Sequence, residues 1–191
     1  MDLQHINVKI YVEGKLQVDP ARFIDVFHGW IQQKTLEGLL IDVADYRHVP
    51  SGPGVMLIGH EADYSMDNAG NRYGLLYNRK FPLEGSNADR FRQAVSCAAN
   101  ACRLLENEFE EDGKLKFSRR EFELFVNDRA LAPNTTETFE SLEPELQSFL
   151  ETALGHDKFS FERYSDPRSR FGVTVHVDTP FDLTALLAAT S

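Results

Sequence analysis

Cysteine is scarce in this chain: two occur in 191 residues, standing five apart at Cys97 and Cys102. On a helix that separation puts them roughly 140° apart around the axis, so they cannot bridge to each other. A disulfide framework between them is excluded, and a reduced, cytoplasmic protein is the expectation. Long apolar runs are also missing: none approaches the ~20 residues that cross a bilayer, so no membrane span is expected. Met1-Asp2-Leu3-Gln4 has neither a basic start nor an apolar stretch and does not read as a secretory leader. Basic charge is the third shortage, with 20 Lys and Arg against 30 Asp and Glu, a net −10. Nucleic-acid binding draws much of its affinity from cations meeting phosphates. The tight basic pairs Arg79-Lys80 and Arg119-Arg120 are too thin a footprint for that, so nucleic acid is not an expected partner.

Familiar catalytic signatures are absent too. No Gly-x-Ser-x-Gly elbow, dinucleotide fingerprint or zinc ribbon occurs. Both cysteines fall on an apolar helical stripe, where thiols are usually inert packing. No cofactor is implied.

What the chain does contain is an internal echo. Val8-Lys9-Ile10-Tyr11-Val12 opens one stretch and Phe122-Glu123-Leu124-Phe125-Val126 opens another. Each leads to an amphipathic helix. Phe23, Phe27, Trp30 and Ile31 mark the apolar face of the first; Leu142, Leu146, Phe149 and Leu150 mark the second. Matching corners follow, with the run from Tyr46 to Val55 set against the run from Tyr164 to Val173. A repeat of this length fixes the supersecondary unit, here strand–helix–strand–strand used twice.

The expected fold is α+β: a mixed, largely antiparallel sheet of six or seven strands with helices packed on it. The chain reads as one duplicated domain, with repeats over about 5–80 and 114–179, a connecting helix over 86–108 and a short C-terminal helix over 181–189. Within the first repeat, Leu39-Leu40-Ile41-Asp42-Val43 is nearly continuous apolar sequence, which predicts a central strand covered on both faces. The run from Val55 continues as strand toward Met66, and Asp67–Asn71 turns back into Tyr73–Lys80. The connecting helix ends in Glu106, Glu108, Glu110, Glu111 and Asp112 before Gly113. Acid there opposes the helix dipole and predicts a frayed, solvated end. Thr135 and Ser141 both qualify as caps for the last long helix, and Pro144 suits a first turn better than an interior.

Three constellations in the first repeat are candidate sites. Ser51, Gly52 and Gly54, with Arg47 and His48 beside them, could bring backbone amides and a guanidinium to an anion. The run lacks the Lys-Ser/Thr ending of a phosphate loop, and a tight corner rigidified by Pro50 and Pro53 is the plainer alternative. Beside His60, the Glu61 and Asp63 carboxylates could supply an acid and a base, or with Asp67 a divalent-metal site. A solvated strand end is the alternative there, and the second histidine of a metalloprotease helix is missing. Asp42, on a covered strand, would need a cation such as Arg79 or Lys80. The leading reading is a non-enzymatic binding or assembly protein whose partner is a second copy, another protein or a small ligand. The alternative is an enzyme acting on a phosphorylated or carboxylated small molecule between the Arg47–Gly54 corner and the His60–Asp63 strand end.

Overall fold

A computed structural model describes residues 1–111 and 114–188. Its elements are β1 (Ile6–Val12), α1 (Arg22–Gln33), β2 (Leu40–Tyr46), β3 (Gly54–Gly59), β4 (Ala62–Asp67), β5 (Gly74–Arg79), α2 (Asn87–Glu108), β6 (Phe117–Val126), α3 (Thr136–Leu154), β7 (Phe159–Arg163), β8 (Gly172–Val177) and α4 (Leu183–Ala188). Asp112, Gly113 and the end of the expected C-terminal helix at 189 lie outside the described residues. Among those residues, no helix is long and apolar enough to cross a membrane.

The fold is α+β. Its eight described strands form one sheet in the order β2-β3-β4-β5-β1-β6-β8-β7, and every neighbouring pair is antiparallel. This corrects the expected mixed sheet of six or seven strands. Each strand–helix–strand crossover does return a parallel strand, but not a neighbouring one. Antiparallel hairpins fill the intervening places: β8 between β6 and β7, and β3, β4 and β5 between β1 and β2. The extra strand arises because the run from Val55 to Met66 turns back at His60 and Glu61 instead of continuing. The aligned corners also separate: β8 lies beside β6, but the strand beside β1 is β5, not β3.

The helices cover one face. On that side Ile10 and Leu75 stand opposite each other, as do Val8 and Tyr77, and α2 packs across both strands. Phe27 and Trp30 of α1 are buried as their spacing requires, with rings 5.4 Å apart. Ser86 caps α2 through a reciprocal pair with Asp89, satisfying two otherwise orphaned groups. The acidic end of α2 does not fray before Glu108. Glu106 is buried, accepting the Phe117 N–H at 2.8 Å and an Arg119 hydrogen bond at 2.7 Å, so it ties the helix to β6. Thr135 caps α3 by accepting the Thr138 N–H at 3.2 Å, which leaves Pro144 inside the helix. The ring sits on the exposed side, so its missing N–H costs one ladder bond without burying an orphaned carbonyl beneath it.

The expected central strand is instead an edge. β2 has a neighbour on one side alone; Leu39, just before it, is 65% exposed and Ile41 is 55% exposed. An apolar run is compatible with a covered strand but does not fix strand order, which later hairpins decide. On the opposite face of the sheet, no α-helix among the described residues lines the centre, and Lys9, Tyr11, Leu76, Glu123 and Phe125 gather there.

Candidate functional site

The residues singled out in the sequence divide between two ends of β3. At one end, Arg47 forks onto Asp45 at 2.8 and 2.7 Å, pulling that carboxyl down to about 2. The His48 ring lies 6.3 Å from that of Tyr46. Ser51 hydrogen-bonds Asn71 at 3.0 Å. A Cβ on Gly52 would stand 2.8 Å from Val49, and one on Gly54 would stand 2.2 Å from the Met66 carbonyl oxygen. Gly54 also has φ +64, so both glycines are required by the turn itself.

At the other end, Glu61 pairs with Arg79 at 3.3 Å, and Asp63 pairs with Lys80 at 2.7 Å while accepting the Gly59 N–H. The His60 ring packs 4.8 Å from Phe81. Five residue steps of strand, roughly 17 Å, separate the corner from this end, so one pocket does not collect both. Asp42 is exposed and accepts the Val43 N–H at 2.8 Å; Arg79 and Lys80 serve other carboxylates. That corrects the expectation of a buried Asp42, and the edge position of β2 is the reason. Glu61, Asp63 and Asp67 each face a cation instead of one another, Asp67 through Lys9 at 2.6 Å. Among the described residues no group of three such side chains is placed to hold a metal.

His60, Glu61 and Arg79 do share a cleft of about 250 Å³ with Tyr64, Tyr77 and Cys97. Burial pushes the Cys97 thiol up and the Tyr77 phenol up to about 12, so neither is primed as a nucleophile.

A larger depression, about 600 Å³, occupies the uncovered face over the β1–β6 pair. Its centre is the register pair Lys9 and Glu123, flanked by Val8 opposite Leu124 and Ile10 opposite Phe122. Lys9 is 3% exposed and held by Asp67. On one side of this centre the Arg72 guanidinium lies 3.6 Å over the Tyr11 ring; on the other, Arg170 lies 3.9 Å over Phe125. Each ring stands opposite a glycine across the strand pair, Gly74 for Tyr11 and Gly172 for Phe125. A Cβ at Gly172 would come 2.5 Å from the Tyr164 ring, and one at Gly74 would come 2.9 Å from the Lys9 side chain. The missing side chains therefore make room for the floor of the site.

Tyr164 and Tyr11 flank Glu123. Burial first, and then that carboxylate, hold the Tyr11 phenol well above its ordinary range. The Tyr164 phenol is raised too, by burial and then by the negative charge of Glu123. Both are donors at neutral pH.

Of the candidates drawn from the sequence, Asp67 alone reaches this face, where it pairs with Lys9. A signal for the face exists in the tripeptides Arg72-Tyr73-Gly74 and Arg170-Phe171-Gly172, which repeat the order Arg, aromatic, Gly just before β5 and β8. Setting Arg170-Phe171 against Gly52-Pro53 hides it.

The chain matches no family model and no curated protein with which it was compared.

Proposed function

We propose that this is a non-enzymatic binding protein that takes a small charged molecule in the depression between the Arg72 and Arg170 stacks. The observation that carries the reading is the pairing of flat aromatic floors with guanidiniums around a concave site of about 600 Å³. The size suits a small ligand, and the largely polar and charged lining suits a charged one. The two unpaired thiols, one buried and one half-buried, support a cytoplasmic setting for the reading.

The same reading takes the halves as copies of one strand–helix–strand–strand unit. β4-β5-β1 on one side of the Lys9–Glu123 pair then corresponds to β7-β8-β6 on the other, and the β2–β3 hairpin is an addition to the first copy. The matched Arg-aromatic-Gly runs support this assignment. A second copy of the chain is proposed as partner through the β2 edge, on the strength of exposed Leu39 and Ile41. Sedimentation of the wild type against Ile41→Lys tests that part: a monomer at high concentration in both would end it.

The binding reading is tested by titrating a mixture of low-molecular-weight cell metabolites into labelled protein and following amide resonances. Shifts should cluster at Lys9, Tyr11, Glu123, Phe125 and Tyr164. Shifts confined to the cleft around Cys97 would move the site, and saturation of neither region would end the proposal.

A further inference from the structure

We infer that the molecule bound on the open face is a zwitterion, with a carboxylate held by Arg170 and an ammonium group held by Glu123. This rests on the binding reading above and narrows it to a charge pattern.

The pattern emerges once the internal pairs are cancelled. Lys9 is neutralised by Asp67 at 2.6 Å, and Arg72 by Glu121 through contacts of 2.8 and 3.1 Å. The Arg129 guanidinium donates to the Arg168 carbonyl at the rim, which orients it without cancelling its charge. On the floor, Arg170 and Glu123 remain. Among the described residues the Arg170 guanidinium has its stack on Phe125 and no ion pair, and Glu123 has the flanking phenols and no ion pair. Two cations without an ion pair among the described residues, Arg129 at the rim and Arg170 on its stack, thus share the depression with one such anion, Glu123, which also lies in the field of Arg72.

Their chemistry divides the work. Stacking covers the face of the Arg170 guanidinium but leaves its planar N–H fork open to grip a carboxylate with two parallel bonds. A carboxylate offers about four acceptor positions, so Glu123 keeps capacity for an ammonium beyond what two phenols use. The Tyr11 ring is already taken by Arg72 and Lys9, so Glu123 itself is what meets an ammonium. Glu123 and Phe125 alternate on β6 and face the same way, with Cα atoms about 7 Å apart, so the anion and the stacked cation lie on one face one pleat apart. A dianion would meet the Glu123 carboxylate as a like charge; a dication would meet Arg170.

The test uses three probes with one carbon-chain length and different end charges: 5-aminopentanoate, glutarate and 1,5-diaminopentane, titrated calorimetrically into the full chain. The zwitterion should bind at least about tenfold more tightly than either relative, the scale of one charge-assisted hydrogen bond. Arg170→Gln changes an exposed side chain and should cost a similar factor for 5-aminopentanoate with the fold intact. Glu123→Gln should remove the preference over glutarate. Glutarate binding the wild type as tightly as 5-aminopentanoate overturns the zwitterion and leaves the small-ligand reading standing. Binding of none of the three also overturns it, and the metabolite titration then judges the wider reading by itself.

Discussion

The open face carries the same device twice, and the two copies are not in the same state. In the first, Arg72 stacks on Tyr11 opposite Gly74, and the Glu121 carboxylate on β6 closes its fork with two hydrogen bonds. In the second, Arg170 stacks on Phe125 opposite Gly172, and the residue across the strand pair is Asn7. That amide is fully buried and already committed, donating to the His5 carbonyl and accepting the Arg79 N–H. A carboxylate in one position and a spent amide in the other separate a closed fork from an open one. The lesson is that a repeated motif marks where a site can form, and its immediate neighbour decides whether the charge is used up within the fold.

The largest effect should come from the centre that both devices share. Lys9→Met leaves Asp67 buried without its cation, and breaking a buried pair on one side costs about 3–5 kcal/mol. A chemical-denaturation midpoint close to wild type would show that Asp67 reaches water instead. Next comes the floor of the open device. Gly172→Ala drives a methyl into the Tyr164 ring and the Phe125 side chain, an overpacking cost of about 1–3 kcal/mol, and should disturb binding as well. Equal stability of wild type and variant would mean that Tyr164 moves aside freely.

The two arginines then separate the devices directly. Arg72→Ala should lower stability by less than about 1 kcal/mol, since its pair with Glu121 is partly exposed, and should weaken ligand binding less than Arg170→Ala does. Arg170→Ala should lower affinity with little change in stability. Acid sharpens the contrast. Arg72 holds the Glu121 carboxyl below its ordinary 4.5, so the pair stabilises the fold above that pH and the contribution is lost as pH falls through the lower folded value. Stability below pH 4.5 should therefore fall less steeply in Arg72→Ala than in wild type, while Arg170→Ala should track wild type; identical acid limbs for all three proteins would refute the closed-fork account. The smallest effect is expected away from the face. Replacing Arg47 and His48 together with Ala should leave the denaturation midpoint and ligand affinity unchanged, because Arg47 serves exposed Asp45 on the edge turn. Loss of binding in that double variant would return the site to the β2–β3 corner.

Much of the fold was legible in the residues, and the reasons are local. Ile6, Val8, Ile10 and Val12 alternate, so they had to line one side of a strand. Phe23, Phe27 and Trp30 recur at helical spacing and are buried together. Gly54 sits where the turn needs a positive φ and a close carbonyl, and the sequence shows a glycine there between two extended runs. The site was less legible. Lys9 in the middle of an apolar strand was visible, but not that Asp67, far along the chain, would meet it. Neither the edge position of β2 nor the burial of Glu106 was written in its own neighbourhood.

Periodicity, caps and turns therefore follow from the sequence by itself, since they arise between residues a few positions apart whose geometry the backbone fixes. Strand order and register belong to the tertiary structure alone. They placed Asn7 rather than a carboxylate opposite Phe125, brought Glu123 between two phenols, and left Arg170 with an open fork. Charges are cancelled or kept by contacts between distant segments, and the arrangement of those segments is settled when the sheet closes on its helices.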